Sequence, residues 1–158
     1  MLVGGAAVSA HTANRYQSLD VDLATLADNG AIAAVMLDLG FKKTRRVWTH
    51  PRFVPTVDFV GGPPAVGSLT LVSFMSLRTR YGSVTVTTPT QSLMDRLAAF
   101  YHWNDRQSLE QAILIARHQK VDYAAIARWS EAEGMKDKHG AFRRTLAARK
   151  RSPSRRKA

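Results

Sequence analysis

In the segment GGAAVSAHTANRYQSLDVDL, Gly4 and Gly5 head a helix-compatible run, and Asp20 and Asp22 stand two residues apart. On a strand, that spacing projects both carboxylates from one face while Val21 and Leu23 turn toward a core. Like charges this close are costly unless a cation relieves them. Mg²⁺ or Mn²⁺ is the natural partner, because such ions take oxygen ligands and are held by carboxylates together with substrate phosphates. Asp58, in TVDFV, is the candidate third acid from a neighbouring strand. Three acids suffice for a two-ion clamp that activates an attacking oxygen and stabilises a leaving one. Asp58 is also placed to assist deprotonation of an acceptor. The glycines complete the set: a turn without side chains lets backbone approach a ligand, and the helix N-terminus behind it favours a phosphate. Together these features suit phosphoryl transfer, in which catalysis is mainly positioning and charge stabilisation.

The elements that must hold these residues follow from periodicity. Leu2 and Val3 read as the end of a strand, AAVSAHTA as a helix, and LDVDLAT as a half-buried strand. ADNGAIAAVMLDLG places Ile32, Val35, Met36 and Leu39 at helical spacing, with Gly40 as its C-terminal stop. KTRRVWTHPRFVPTVDFVG is rich in β-branched and aromatic residues and broken by Pro51 and Pro55, which predicts two short strands around a turn. GGPPAVG reads as a loop, and SLTLVSFMSLRTRYGSVTVTT as further strands turning at Tyr81-Gly82. From Pro89 the chain becomes helical, with Asn104 or Asp105 and Asp122 placed as caps. The expected organisation is an α/β (α+β) core over 1–88, a helical region over 89–147 and a disordered basic tail over 148–158. The tail, AARKRSPSRRKA with the residues just before it, holds too little apolar surface to fold alone.

Composition narrows the classes. The 158 residues can bury one main core, and the absence of cysteine excludes disulfide frameworks and thiolate metal sites. A cytoplasmic location is expected, since the apolar start lacks a basic leader and is broken by Gly4 and Gly5. No run approaches the roughly 20 apolar residues of a membrane span. The formal net charge is +11, but Lys136 to Ala158 carries 10 Lys and Arg against one Asp, while the preceding residues carry 13 against 11. The body is therefore nearly neutral and the end cationic. Such an end either attracts phosphate backbones or simply keeps the chain solvated; composition leaves both readings open.

Other chemistry has little support. The five histidines form no i, i+4 ligand pair, and neither a GxSxG elbow nor a GxxxxGK loop occurs. His11 reads as a structural histidine, Phe100, Tyr101 and Trp103 as packing residues, and Arg96 as a helix-surface arginine, with a triphosphate-binding cation as its alternative.

The order VGG, a spacer of fourteen residues from Ala6 to Leu19, and DVDL resembles the signature of the polymerase-beta-type nucleotidyltransferase superfamily. Within it, NRYQSLDVDL is similar to the pattern of small nucleotidyltransferase-like proteins related to the AbiEii toxin group. TVDFVGGPPAVG resembles the strand and loop of the third acid, and TPTQSLMDRLAAFYHWNDRQSLEQA the helical half. The resemblance covers the chain to about Gly134. It implies a nucleotidyltransferase fold with a mixed sheet and packed helices. Asp20, Asp22 and Asp58 would be catalytic metal ligands, with Gly4, Gly5, Arg15 and Ser18 around the nucleotide phosphates. The implied reaction moves a nucleoside monophosphate from an NTP to an RNA or protein acceptor, with an antitoxin or other protein as a possible partner. The family fold also has a helix before its first strand, whereas this sequence opens at that strand. That departure supports the alternative expectation of a noncatalytic module that keeps the fold and binds nucleic acid or a protein partner.

Overall fold

The computed structural model describes residues 1–71 and 73–151. Its centre is a mixed sheet built from β1 (Leu2–Val3), β2 (Asp20–Thr25), β3 (Lys42–Thr44), β4 (Val47–His50), β5 (Phe53–Gly61), β8 (Phe74–Thr79) and β9 (Gly82–Thr87), in the order β3-β4-β5-β2-β1-β9-β8. Between β5 and β8, a separate ribbon is formed by β6 (Ala65–Val66) and β7 (Leu69–Thr70). β2 runs parallel to β5 and antiparallel to β1. The α/β class expected from the sequence is therefore observed.

Two helices are inserted in the sheet half. α1 (Gly4–His11) follows β1 directly, and α2 (Asn29–Asp38) follows β2. The Asp28 carboxylate caps α2 by accepting from the Gly30 and Ala31 amides at 2.8 and 2.9 Å. The helix stops at Gly40 (φ +82°): the Gly40 amide donates to Leu37 O and the Phe41 amide to Met36 O, each at 2.9 Å. That pairing is a Schellman closure, and it needs the left-handed conformation glycine tolerates. α2 covers one sheet face, where Met36, Trp48 and Val57 are buried with Val21 and Leu23 packed against them. The alternation read from DVDL thus places Val21 and Leu23 as expected.

The helical half comprises α3 (Pro89–Trp103), α4 (Arg106–His118), α5 (Tyr123–Ala132) and α6 (Lys136–Arg151). Thr88 and Gln91 form a reciprocal capping box at the start of α3, while Asp105 caps α4 and Asp122 caps α5. The main core lies among these helices, with Leu93, Leu97, Ile115, Ile126 and Phe142 fully enclosed and Val8 of α1 contributed from the sheet half. Among the described residues, no helix is long and apolar enough to cross a membrane.

Three expectations are corrected. The stretch from Lys42 to Gly61 forms three strands, because Arg45 adopts a left-handed φ of +57° and turns the chain between β3 and β4. Pro55 lies inside β5: it falls where the β4–β5 register is irregular and just before pairing with β2 begins at Thr56, so its missing N–H costs no ladder bond there. The expected GGPPAVG loop contributes β6. Finally, α6 continues to Arg151, beyond the boundary expected at 147. Ala147 and Ala148 favour helix, terminal cations suit its C-terminal dipole, and Arg149 Nη2 donates to Glu110 Oε1 at 2.9 Å. The rest of the expected tail, 152–158, lies outside the described residues.

Candidate functional site

Strand register sets two of the three carboxylates side by side. Because β2 and β5 run parallel, Asp20 pairs with Thr56, and Asp22 with Asp58. Asp22 and Asp58 therefore stand on neighbouring strands at matching positions, on the face opposite Val21, Leu23 and Val57. Burial, followed by the charge of Asp20, pushes the Asp22 carboxyl above its usual range; Arg96 opposes the shift, and Asp58 and Asp95 add to it. The Asp58 carboxylate accepts from the Phe59 amide at 2.8 Å. Ser18 Oγ donates to Asp20 Oδ1 at 2.7 Å, which orients that carboxylate.

Gly4 and Gly5 sit where side chains do not fit. Gly4 has φ +59°, and a Cβ there would overlap the Asp22 carboxylate. A Cβ on Gly5 would lie 2.6 Å from Ser18 Oγ. The α1 start is thus pressed against the acids, with no side-chain cap on its N-terminus. The connection from α1 to β2 is held by Ser9, whose hydroxyl donates to Gly5 O at 3.2 Å and accepts from the Ser18 amide at 3.0 Å.

A cavity of about 390 Å³ opens beside Asp22, lined by Gly4, the Gly61–Val66 segment, Leu71, Thr87, Asp95 and Arg96. Ala65 and Val66 of β6 form part of its wall, and the β6–β7 ribbon is held by residues distant in sequence. Trp129 Nε1 donates to Val66 O at 3.3 Å, and Glu133 Oε1 accepts from the Ser68 amide and hydroxyl at 2.8 and 2.6 Å. These bonds hold the Glu133 carboxyl below its usual range. Gly67 (φ +58°) passes so close that a Cβ would overlap that carboxylate.

Not every expected residue reaches this cavity. Gly4 and Asp22 line it; Ser18 and Asp20 line a shallower depression with Ser9, Asn14 and Gln17. Arg15 is exposed and its Nη1 donates to Thr12 O at 3.3 Å, so it points along its own turn. Arg96 is the residue that sequence reasoning misplaced. It faces the cavity, its Nε and Nη2 donate to Asp95 Oδ2, and its Nη1 reaches Gln111 Oε1 at 3.4 Å. It stands about two turns past the Thr88 N-cap, at the middle of α3. His11 is structural as expected, buried with Nε2 2.8 Å from Thr87 O. Phe100 and Tyr101 are packing residues, whereas Trp103 is exposed.

Carboxylate oxygens are the donors that hard cations such as Mg²⁺ or Mn²⁺ take, and of the three acids Asp22 and Asp58 are partly buried while Asp20 is exposed. Among the described residues, no three His, Cys, Asp or Glu side chains converge as a ready ligand cluster. No family model, no curated protein and no solved structure matches this chain.

Proposed function

We propose that this protein is a metal-dependent nucleotidyltransferase that moves a nucleoside monophosphate from an NTP to a hydroxyl of an RNA or protein acceptor in the cytoplasm, releasing pyrophosphate. The observation that carries the reading is the parallel β2–β5 register, which sets Asp22 beside Asp58 and two residues from Asp20, against a glycine that admits no side chain. Asp20, Asp22 and Asp58 would hold the Mg²⁺ or Mn²⁺, which when bound supplies charge neutralisation and oxygen activation for in-line displacement. Around it, the chain's own groups have separate tasks. The uncapped α1 N-terminus at Gly4 and Gly5 offers backbone N–H groups to phosphate oxygens. Ser18 orients Asp20, Asp58 accepts the acceptor's proton, and Arg96 offsets negative charge beside Asp22. Arg15 has no contact that supports its expected phosphate role. A role within a toxin-antitoxin pair, with an antitoxin as protein partner, rests on the sequence resemblance alone.

A noncatalytic nucleic-acid or partner-binding module is the second reading, favoured by the absence of a converged three-ligand cluster among the described residues. One experiment separates them. The purified protein is incubated with each α-³²P-labelled NTP, Mg²⁺ and total RNA or protein, alongside an Asp20→Ala, Asp22→Ala variant. Label transfer by the wild type alone is expected; no transfer under any combination supports the binding module.

A further inference from the structure

The Phe41–Phe53 stretch, FKKTRRVWTHPRF, holds five Lys and Arg in 13 residues and no Asp or Glu. It forms the β3–β4 hairpin and the turn into β5, at one edge of the sheet. Lys42, Lys43, Arg45, Arg46 and Arg52 are all exposed, and none enters an ion pair among the described residues. Three cations elsewhere are paired, Arg96 with Asp95, Lys136 with Glu131 and Arg149 with Glu110; what sets the hairpin apart is five cations clustered with no acid among them. Five clustered like charges without a counter-ion repel one another, a cost that an external polyanion relieves.

The hairpin is built to hold those charges outward. Arg45 sits at its tip with φ +57°, a conformation in which Asn or Gly is usual, so the turn carries a cation where a neutral residue fits with less strain. Lys43 lies over the Trp48 ring, its Nζ 5.7 Å from the centroid. Lys43 pairs with Trp48 and Trp48 with Val57, so by alternation Lys42 and Thr44 project on the same face as Asp58. Two strand spacings, about 10 Å, separate β3 from β5. At the base of the hairpin, His50, Phe41 and Phe53 form a row with centroid separations of 5.0 and 6.0 Å, and Phe53 is 41% exposed.

We propose that the β3–β4 hairpin with Arg52 and Phe53 is a docking surface for single-stranded nucleic acid. The cations track the phosphodiester backbone, and the Phe53 face stacks a base. Backbone cations beside an accessible aromatic face form the combination that binds single strands without base-edge readout. This surface lies apart from the carboxylates, and its function does not require that they catalyse.

The test is fluorescence anisotropy of a 5′-fluorescein-labelled, mixed-sequence 20-nucleotide RNA, without NTP or divalent cation, so that failure of the transferase reading leaves the result interpretable. The variant Lys42→Gln, Lys43→Gln, Arg45→Gln, Arg46→Gln is compared with one of equal charge loss on the helical half, Arg106→Gln, Arg117→Gln, Lys120→Gln, Arg128→Gln. Circular dichroism melts establish that both variants fold. The hairpin variant is expected to bind at least tenfold more weakly, with the slope of log K against log salt reduced by about two to three units. The control should stay within about twofold of wild type. Phe53→Leu should weaken binding about fivefold and leave the salt slope unchanged. Equal losses in both charge variants would reduce the effect to net charge and overturn the proposal. So would displacement of the RNA by poly-glutamate at equal charge concentration, which would identify the surface as a general anion or acidic-protein site.

Discussion

The helical half, with four elements, and the sheet half, with eleven, solve different problems. In the helices, Leu93, Leu97, Ile115, Ile126 and Phe142 are sealed from water, and Tyr101 and Trp129 stack with centroids 5.5 Å apart. On the α2 side of the sheet, only Met36, Trp48 and Val57 are comparably buried, while Val35, Leu37 and Leu39 of α2 remain about 60% exposed. The three acids stand on the opposite face of that same sheet. Burial is therefore concentrated in the half without the three candidate acids, and the half that holds them carries an electrostatic cost and thin packing. α1 joins the two, since Gly4 touches Asp22 while Val8 lies in the helical core.

The contrast is tested most severely by truncating one apolar side chain in each half. Phe142→Ala, in the helical half, should cost about 3–5 kcal/mol, read as a lower urea midpoint at unchanged slope. Leu37→Ala, on the exposed side of α2, should stay within about 0.5 kcal/mol. If the two cost the same, the division between the halves is wrong.

A finer probe is the buried polar contact within the helices. Tyr101 Oη and Ser130 Oγ are 2.9 Å apart, both fully enclosed, and burial pushes the Tyr101 hydroxyl up to about 12, so it stays protonated across the ordinary pH range. Tyr101→Phe leaves the Ser130 hydroxyl without that partner and should cost about 1–2 kcal/mol by the same urea measurement. A loss near zero would show that this pair does not help to hold α3 against α5.

What the sequence made legible and what it did not divides along similar lines. Local signals were readable: Asp105 and Asp122 as caps, Gly40 as a helix stop, and the period-two alternation that sends Asp22 one way and Leu23 the other. These depend on neighbours in sequence. The β3–β4 turn was missed because it rests on a left-handed Arg45, a residue whose type gives no turn signal. The β6–β7 ribbon was missed because its bonds run to Trp129 and Glu133, more than 60 residues away in sequence. Arg96 was assigned to solvent because helical periodicity does not say which polar face meets a cavity. The α6 extension was missed because a segment poor in apolar residues can still propagate from a packed helix.

The ribbon offers a pH-dependent handle of smaller size. Hydrogen bonds from Ser68 hold the Glu133 carboxyl below its usual range, with His102 Nε2 3.8 Å away as a weaker contributor. A lowered acid contributes stability that is present above its unfolded-state range and lost as pH falls through the folded value. Hydrogen exchange at the Ser68 amide should therefore be slow near neutrality and, after correction for intrinsic rates, lose protection as pH falls below the ordinary carboxylate range. Glu133→Gln should remove the pH dependence while leaving global stability nearly unchanged. Protection that persists unchanged to low pH would mean that the ribbon is held by Trp129 rather than by this carboxylate.

The smallest expected effect bears on the acids themselves. Burial and the neighbouring Asp20 raise the Asp22 carboxyl, so in the folded state its ionised form is disfavoured relative to the unfolded chain. The sign is opposite to that of Glu133: the ionised Asp22 lowers stability at neutral pH, and the penalty disappears as pH falls below the unfolded carboxylate range. Asp22→Asn removes the charge and keeps the shape. It should therefore stabilise the protein at pH 7 by about 0.5 kcal/mol, since Asp22 is only half-buried and solvent screens the repulsion. Melts at pH 3 should show no such gain, because the wild-type carboxyl is then protonated. Adding Mg²⁺ at pH 7 should narrow the difference by stabilising the wild type alone, in proportion to how tightly the acids hold the ion. If Asp22→Asn is instead destabilising at pH 7, the attraction between Asp22 and Arg96 outweighs the repulsion from Asp20 and Asp58, and the sheet half carries no cost for its carboxylates.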